Sequence, residues 1–252
     1  MSFCNHCGDC VEACPEDALS LDNDDKVQWH SEKCTHCDKC LDICPISASP
    51  MTRSYHAPAL IEIIRENQPF ISGITLSGGE ATVQLPFLVE LLSGIRADPE
   101  LNQLNCLLDT NGSLGVEGWN SLLPYLDGVL LDLKSWHSDR HKLLTGASND
   151  KVKNSLKLLA AANKLAEIRL LVIPGQSDYD EYLESICDTL GSLPDDTAVR
   201  INAFHHHGVK GEAGDWPNAT CEDIDVFARQ LRKGGINNLI LPPVFLENLH
   251  QA

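Results

Sequence analysis

Basic residues are scarce in this 252-residue sequence: 19 lysines and arginines stand against 36 aspartates and glutamates, which gives a formal net charge of -17 at pH 7. Such an excess of acid repels phosphate backbones and anionic lipids, so we expect no nucleic acid and no membrane among the partners. No apolar run approaches the roughly 18 residues that cross a bilayer, and the first residues lack the pattern of a secretion signal. We therefore expect a cytoplasmic protein.

Cysteine is nearly absent from the larger part of the chain. Of 11 cysteines, only Cys106, Cys187 and Cys221 follow position 44, and isolated cysteines of this kind are most often packing residues. The other eight form two runs with one spacing, CNHCGDCVEACP at 4–15 and CTHCDKCLDICP at 34–45. In a chain without signs of export, such runs indicate metal binding rather than disulfides.

The spacing C-x2-C-x2-C-x3-C-P is that of bacterial ferredoxins, in which the fourth cysteine of each run binds the cluster of the other run. This rule gives two [4Fe-4S] clusters. One is bound by Cys4, Cys7, Cys10 and Cys44, and the other by Cys34, Cys37, Cys40 and Cys14. Structural zinc is the alternative, because CxxC pairs also bind zinc. We assign residues 1–50 to a ferredoxin-like domain with two clusters and residues 51–252 to a second domain.

From position 51 onward, short apolar runs alternate with amphipathic stretches. Apolar strands that are each followed by a helix predict an α/β fold with a parallel sheet covered by helices, either barrel-like or open. The predicted strands are 71–76, 105–110, 128–134, 167–173, 199–204 and 238–241, and the predicted helices lie near 58–67, 85–97, 117–125, 149–165, 180–191 and 221–233. A capping box of Thr220 and Asp223 is expected to begin the last helix.

Polar segments follow these strands, and in such folds the carboxyl ends of the strands carry the chemistry. The segments are SGGE at 77–80, DTNG at 109–112, LDLK at 131–134, RLLVIPG at 169–175 and NAFHHHG at 202–208. Taken singly they are weak signals, since Asp, Asn and Gly also favour turns. Asp132 and Lys134 are two residues apart and therefore share one face of their strand. The three histidines alternate faces and are not expected to converge on one metal ion.

Together behind the two cysteine runs, these segments resemble the radical S-adenosylmethionine enzymes that activate glycyl radical enzymes, in their YjjW-like branch. The resemblance covers nearly the whole chain. It implies a partial (β/α)6 radical S-adenosylmethionine barrel with an N-terminal ferredoxin-like insert that carries two clusters. The first barrel strand of that family has no counterpart in the sequence.

The resemblance also implies the contacts of S-adenosylmethionine. Asp109 would meet its amino group, Lys134 and Arg169 its carboxylate, Asp132 the ribose hydroxyls and His205 the adenosine end. The backbone of Gly78 and Gly79 would also meet the amino group of the methionine moiety, with Glu80 supporting that loop. No catalytic residue is assigned.

In that family a third [4Fe-4S] cluster, with one open iron, passes an electron to the sulfonium. The resulting 5′-deoxyadenosyl radical removes hydrogen from a glycine of the partner glycyl radical enzyme. A low-potential donor such as flavodoxin or ferredoxin supplies the electron. The CxxxCxxC motif that binds this third cluster does not occur in the sequence. We therefore expect this polypeptide by itself not to cleave S-adenosylmethionine.

Two alternatives remain at this point. An electron-transfer module would carry about eight irons and would not bind S-adenosylmethionine. A βα-barrel lyase or aldolase would form a Schiff base at Lys134, which borohydride would trap. Only burial is expected to lower the pKa of that lysine, which makes the second alternative the weaker.

Overall fold

The structure of the chain, a computed structural model, describes residues 4–46, 48–206, 209 and 211–242. It divides into two compact units, Met1–His56 and Ala57–Ala252. The sequence placed this boundary six residues earlier, at 50/51. Across the described ranges, no helix combines the length and the apolar character that a bilayer crossing demands.

The smaller unit repeats one local structure twice. Helix α1 (Asp9–Glu12) follows Gly8 at φ 87°, and helix α2 (Lys39–Asp42) follows Asp38 at φ 59°. Each of these one-turn helices lies within a cysteine run. Between them, strands β1 (Leu19–Leu21) and β2 (Val27–Trp29) form an antiparallel hairpin. The repeated cysteine spacing thus corresponds to a repeated backbone conformation.

The larger unit contains a parallel sheet whose strands lie side by side in chain order. The strands are β3 (Gly73–Leu76), β4 (Asn105–Thr110), β5 (Gly128–Leu133), β6 (Leu165–Val172), β7 (Ala198–Ala203) and β8 (Leu239–Ile240). The prediction of a parallel sheet alternating with helices is confirmed. Within the described ranges, β3 and β8 are its edge strands.

The helices of this unit are α3 (Ala57–Asn67), α4 (Leu85–Ala97), α5 (Val116–Leu122), α6 (Ser138–Thr145), α7 (Asp150–Ala161), α8 (Leu183–Gly191) and α9 (Cys221–Lys233). Helix α6 was not predicted, because its sequence SDRHKLLT has little apolar periodicity. The chain reverses at Asn163, which has φ 52°, so α7 ends earlier than expected. The capping box at the start of α9 is present.

The two faces of the sheet differ in burial. Alternate residues of the strands are almost fully buried and join the core with the helices: Cys106, Leu108, Val129, Leu131, Leu133, Ile168, Leu170, Val199 and Ile201. The residues between them are mostly half-buried. Between β5 and β6 the register shifts by one residue, from Val129–Leu165 to Leu130–Glu167. The shift places Glu167 on the side of the sheet that carries the half-buried residues. We call this side of the sheet the open face.

Candidate functional site

The loop after β3 is tied to the end of β4 by Glu80. One carboxylate oxygen of Glu80 accepts hydrogen bonds from the Thr82 hydroxyl at 2.7 Å and the Thr110 hydroxyl at 2.8 Å. The other accepts from the Asn111 backbone N–H at 2.7 Å. Glu80 is therefore occupied in joining the two loops, and this leaves the backbone of its loop, rather than its carboxylate, to face a ligand.

The two glycines before Glu80 are unobstructed. Gly78 has φ 156°, a conformation that L residues rarely adopt, and a Cβ added at Gly78 or Gly79 would meet no atom within 4 Å. Glycine at such positions lets another molecule approach the backbone closely. The geometry thus offers peptide groups at the carboxyl end of β3.

Asp109 and Arg169, which lie 60 residues apart in the sequence, form an ion pair on the open face. The Arg169 Nη1 donates to the Asp109 carboxylate at 2.8 Å, and the side chains are 20% and 26% exposed. At the end of β5, Nζ of Lys134, the residue after the strand, donates to Asp132 at 2.7 Å. Asp132 is in register with Arg169, so both pairs lie on the same face.

Two further charged residues of the open face escaped the sequence analysis, Glu167 and Arg200. The Glu167 carboxylate is 7% exposed and accepts from Arg169 Nε at 2.6 Å and from Arg200 Nε at 2.9 Å. Burial alone would raise the pKa of Glu167, but the two arginines outweigh it and lower that pKa. The spacing of Glu167 and Arg169, two apart on one strand, was the available signal.

The open face is therefore electrically balanced. Three carboxylates (Asp109, Asp132, Glu167) face three cationic groups (Lys134, Arg169, Arg200) within hydrogen-bonded pairs. The Asp132–Lys134 pair has the more exposed cation, at 34% of the Lys134 side chain. Such a surface suits a ligand that itself carries both charges, because each end finds its opposite without burying an unpaired charge.

The histidine segment after β7 is only partly described. His205 is exposed, and the hydrogen bonds and ion pairs of the described residues do not join it to the open-face residues. His206 instead donates its backbone N–H to Asn218 at 3.0 Å, and its ring contacts the Trp216 carbonyl. His207 and Gly208 lie outside the described residues.

The eight cysteines of the smaller unit form no disulfides with one another. One cavity is lined by Cys14, Cys34, Cys37 and Cys40, so the fourth cysteine of the first run stands with the first three of the second. Burial raises the pKa of Cys40, and Cys34, Cys14 and Cys37 raise it further. Burial likewise raises the pKa of Cys10, helped by Cys4, Cys40 and Cys7.

Backbone N–H groups point at several of these sulfurs. Ala18 donates to Cys14 Sγ at 3.3 Å and Ala48 to Cys44 Sγ at 3.2 Å, four residues on in both runs. Such contacts stabilise thiolates and suit cluster ligands. In the described part of the chain, no three Cys, His, Asp or Glu side chains are close enough to hold a single metal ion.

Comparisons with known families match both units. Residues 3–48 match the 4Fe-4S dicluster domain, and residues 31–190 match the Radical SAM superfamily. Two solved structures share the fold. One is a domain of pyruvate-formate lyase-activating enzyme from Bacteroides vulgatus (TM-score 0.57, 19% identity, 68% of this chain and 99% of that one). The other is a radical SAM methyltransferase from Sphaerobacter thermophilus (TM-score 0.56, 16% identity, 83% and 62%).

Three relatives are activating enzymes by name. The pyruvate formate-lyase-activating enzyme of Streptococcus mutans is 33% identical over 142 residues, 54% of this chain and 52% of its own. A putative glycyl-radical enzyme activating enzyme of Haemophilus influenzae is 29% identical over 203 residues (72% and 76%). The 4-hydroxyphenylacetate decarboxylase activating enzyme of Clostridioides difficile is 28% identical over 211 residues (81% and 65%). The chain thus spans about half the length of the first relative.

Proposed function

Because this chain belongs to the radical SAM superfamily, we propose that it serves the activation of a glycyl radical enzyme. The names of its relatives support this activity: two are named as activating enzymes and the third as a putative one. The partner would be a glycyl radical enzyme that contributes a backbone glycine. We also propose that the protein acts in the cytoplasm under anaerobic conditions and receives electrons from a low-potential donor such as flavodoxin or ferredoxin.

The observation that carries the proposal is the balanced set of charges on the open face. S-adenosylmethionine has an ammonium and a carboxylate on one carbon, and a sulfonium further along the same side chain. We assign Asp109 to its ammonium, and Lys134 and Arg169 to its carboxylate. The Asp109–Arg169 bond at 2.8 Å then has to open as the two ends of the ligand replace it.

The remaining contacts follow from position. The unobstructed peptide groups of Gly78 and Gly79 would face the methionine moiety, and Glu80 would hold their loop through Thr110 and Asn111. Asp132 would accept from ribose hydroxyls. His205 would contact the adenosine end.

The eight cysteines of the runs fit two iron-sulfur clusters. We propose Cys4, Cys7, Cys10 and Cys44 for one, and Cys34, Cys37, Cys40 and Cys14 for the other. The cavity lined by the second set supports that grouping. When bound, clusters of this kind store and relay single electrons. The third cluster, which the family uses at the sulfonium, has no assigned ligands in these 252 residues.

Calorimetric titration of the reconstituted chain with S-adenosylmethionine, under argon, tests the assignment. We expect binding, and about 10- to 100-fold weaker binding for Lys134→Met, since a hydrogen bond between charged groups is lost. Glu90→Gln, an exposed carboxylate on α4, is the matched control and should bind as the parent does.

The same protein should not release 5′-deoxyadenosine when dithionite reduces it, because all eight cysteines of the runs are used in closed clusters. Absence of S-adenosylmethionine binding would overturn the proposal and favour the electron-transfer module. Borohydride trapping of a carbonyl compound at Lys134 would instead favour the lyase.

A further inference from the structure

The three residues that follow Lys134 all donate to one carboxylate. Asp178, in the loop after β6, accepts from the Ser135 hydroxyl at 2.7 Å, the Trp136 backbone N–H at 3.0 Å and the His137 backbone N–H at 2.7 Å. Asp178 is 4% exposed and Ser135 is 0% exposed. The backbone on the carboxyl side of Lys134 is thus held by a buried anion.

The amino side of Lys134 is held by the neighbour of Asp178. The Tyr179 hydroxyl donates to the Leu133 carbonyl at 3.1 Å and accepts from the Leu171 N–H at 3.1 Å. Burial raises the pKa of Tyr179, so the hydroxyl keeps its proton and remains a donor. Asp178 and Tyr179 therefore form hydrogen bonds with the backbone on both sides of Lys134.

A third residue, Asn149, binds the carbonyl groups of the same segment. The Asn149 side-chain amide, 1% exposed, donates to the Ser135 carbonyl at 3.2 Å and to the Trp136 carbonyl at 2.8 Å. The N–H and C=O groups of Trp136 are both satisfied by side chains. A segment with so many buried bonds is rigid, because each movement would leave a buried polar group unpaired.

The three donors to Asp178 are a hydroxyl and two peptide N–H groups, all uncharged. A buried carboxylate without a bonded cation is costly, and the full set of donors offsets that cost, together with the nearby charge of Lys153. A carboxylate can accept all three bonds at once, whereas an amide at this position has a single acceptor oxygen.

We propose that Asp178 is a positioning residue: by fixing the backbone of Ser135–His137, it sets where the Lys134 ammonium meets the carboxylate of the ligand. This inference rests on the proposed function of Lys134. It adds a residue outside the open face to the recognition of S-adenosylmethionine. Asp178 itself is not expected to touch the ligand.

Two ligands separate positioning from mere folding. S-adenosylmethionine and its decarboxylated analogue share the adenosine, the sulfonium and the amine, but only the first has the carboxylate. We expect Asp178→Asn to weaken the binding of S-adenosylmethionine by about threefold or more and to leave the binding of the analogue unchanged. A change of this size is the coupling expected of residues in one hydrogen-bond network. Lys134→Met should likewise weaken the binding of S-adenosylmethionine and not that of the analogue. The variant with both substitutions should lose no more affinity for S-adenosylmethionine than Lys134→Met alone.

Glu181→Gln is the matched control, because Glu181 is an exposed acid in the same loop. Glu181→Gln should bind both ligands as tightly as the parent does. If Asp178→Asn does not fold, Ser135→Ala removes one of the three donors and keeps the carboxylate, and should give a smaller loss with the same selectivity.

The outcomes are distinguishable. Equal weakening of both ligands by Asp178→Asn, additive losses in the double variant, or no loss at all would overturn the positioning role while Lys134 keeps its own. If Lys134→Met does not discriminate between the two ligands, the assignment of Lys134 fails, and the role of Asp178 fails with it.

Discussion

Arg169 donates to Asp109 and Glu167 at once, and Glu167 in turn accepts from Arg200. The sequence placed Asp109 and Arg169 among the ligand contacts, but it did not indicate that they bond to each other. That contact depends on the order of the strands, with β5 between β4 and β6, and on the register that the shift between β5 and β6 sets. The sequence therefore predicted which residues of the site are charged and at which strands they lie. Which of them bond to each other depends on how the strands are arranged in the sheet.

Glu167→Gln should destabilise the chain in a pH-dependent manner. The charged hydrogen bonds to two arginines are lost, at a cost of about 1.5–3 kcal/mol at neutral pH. Because the pKa of Glu167 is lowered in the folded chain, its stabilisation is complete above the ordinary glutamate pKa of about 4.3 and is lost as the pH falls through the lower folded value.

Urea unfolding of the parent and of Glu167→Gln between pH 3 and pH 7 checks this. The difference in the free energy of unfolding should shrink below about pH 4.3. The exposed carboxylate of Glu90 supplies the control, and Glu90→Gln should differ little from the parent at any pH. A difference that stays constant down to the lowest pH would contradict the ionised state of Glu167.

At the scale of elements, α7 approaches the end of β4 at a glycine. Gly112 has φ 73°, and a Cβ there would lie 2.6 Å from Leu131 Cδ1 and 3.3 Å from the Cα of Val152 on α7. The nearby Ser155 hydroxyl donates to the Gly112 carbonyl at 2.8 Å and accepts from Trp119 Nε1. The sequence indicated a turn at DTNG but not that a helix packs against it, because that contact joins residues 40 apart.

Gly112→Ala should therefore lower the free energy of unfolding by about 1–3 kcal/mol, since the residue is strained and crowded. Gly115→Ala, three residues on, is the matched control: its φ is -76° and its Cβ would meet nothing within 4 Å. Thermal unfolding of both variants measures the contrast. Equal midpoints for the two would contradict the close approach of α7.

At the scale of the whole molecule, the apolar strands and their alternation with helices made the parallel sheet predictable. Helix α6 was missed because it is short and polar, and the end of α7 was misplaced because the reversal at Asn163 has no strong signal. The 4Fe-4S dicluster match over residues 3–48 agrees with the reading of the cysteine runs as iron-sulfur ligands. The number of clusters remains a proposal that iron content can test.

Cys14→Ser should lower the iron content of the reconstituted chain from about eight to about four per chain, since one set of four thiolates loses a ligand. The remaining iron should belong to the set that includes Cys44. Cys187→Ser on α8 is the control and should retain all the iron. Iron and sulfide analysis, with electron paramagnetic resonance of the reduced protein, provides the measurement. Full retention of the iron by Cys14→Ser would contradict the role of Cys14 as a cluster ligand.

The register shift between β5 and β6 has a consequence for how the chain tolerates insertions and deletions. Leu165 is packed in the core, yet Glu167 faces the open side, and one additional residue, Ala166, reconciles the two. Loss of Ala166 would only remove the bulge and leave Leu165 and Glu167 on opposite faces, whereas loss of Ile168 would turn Glu167 and Arg169 to opposite faces and drive a charged side chain into the core. A change that leaves every charged residue in place would thereby dismantle the site by altering only the phase of one strand.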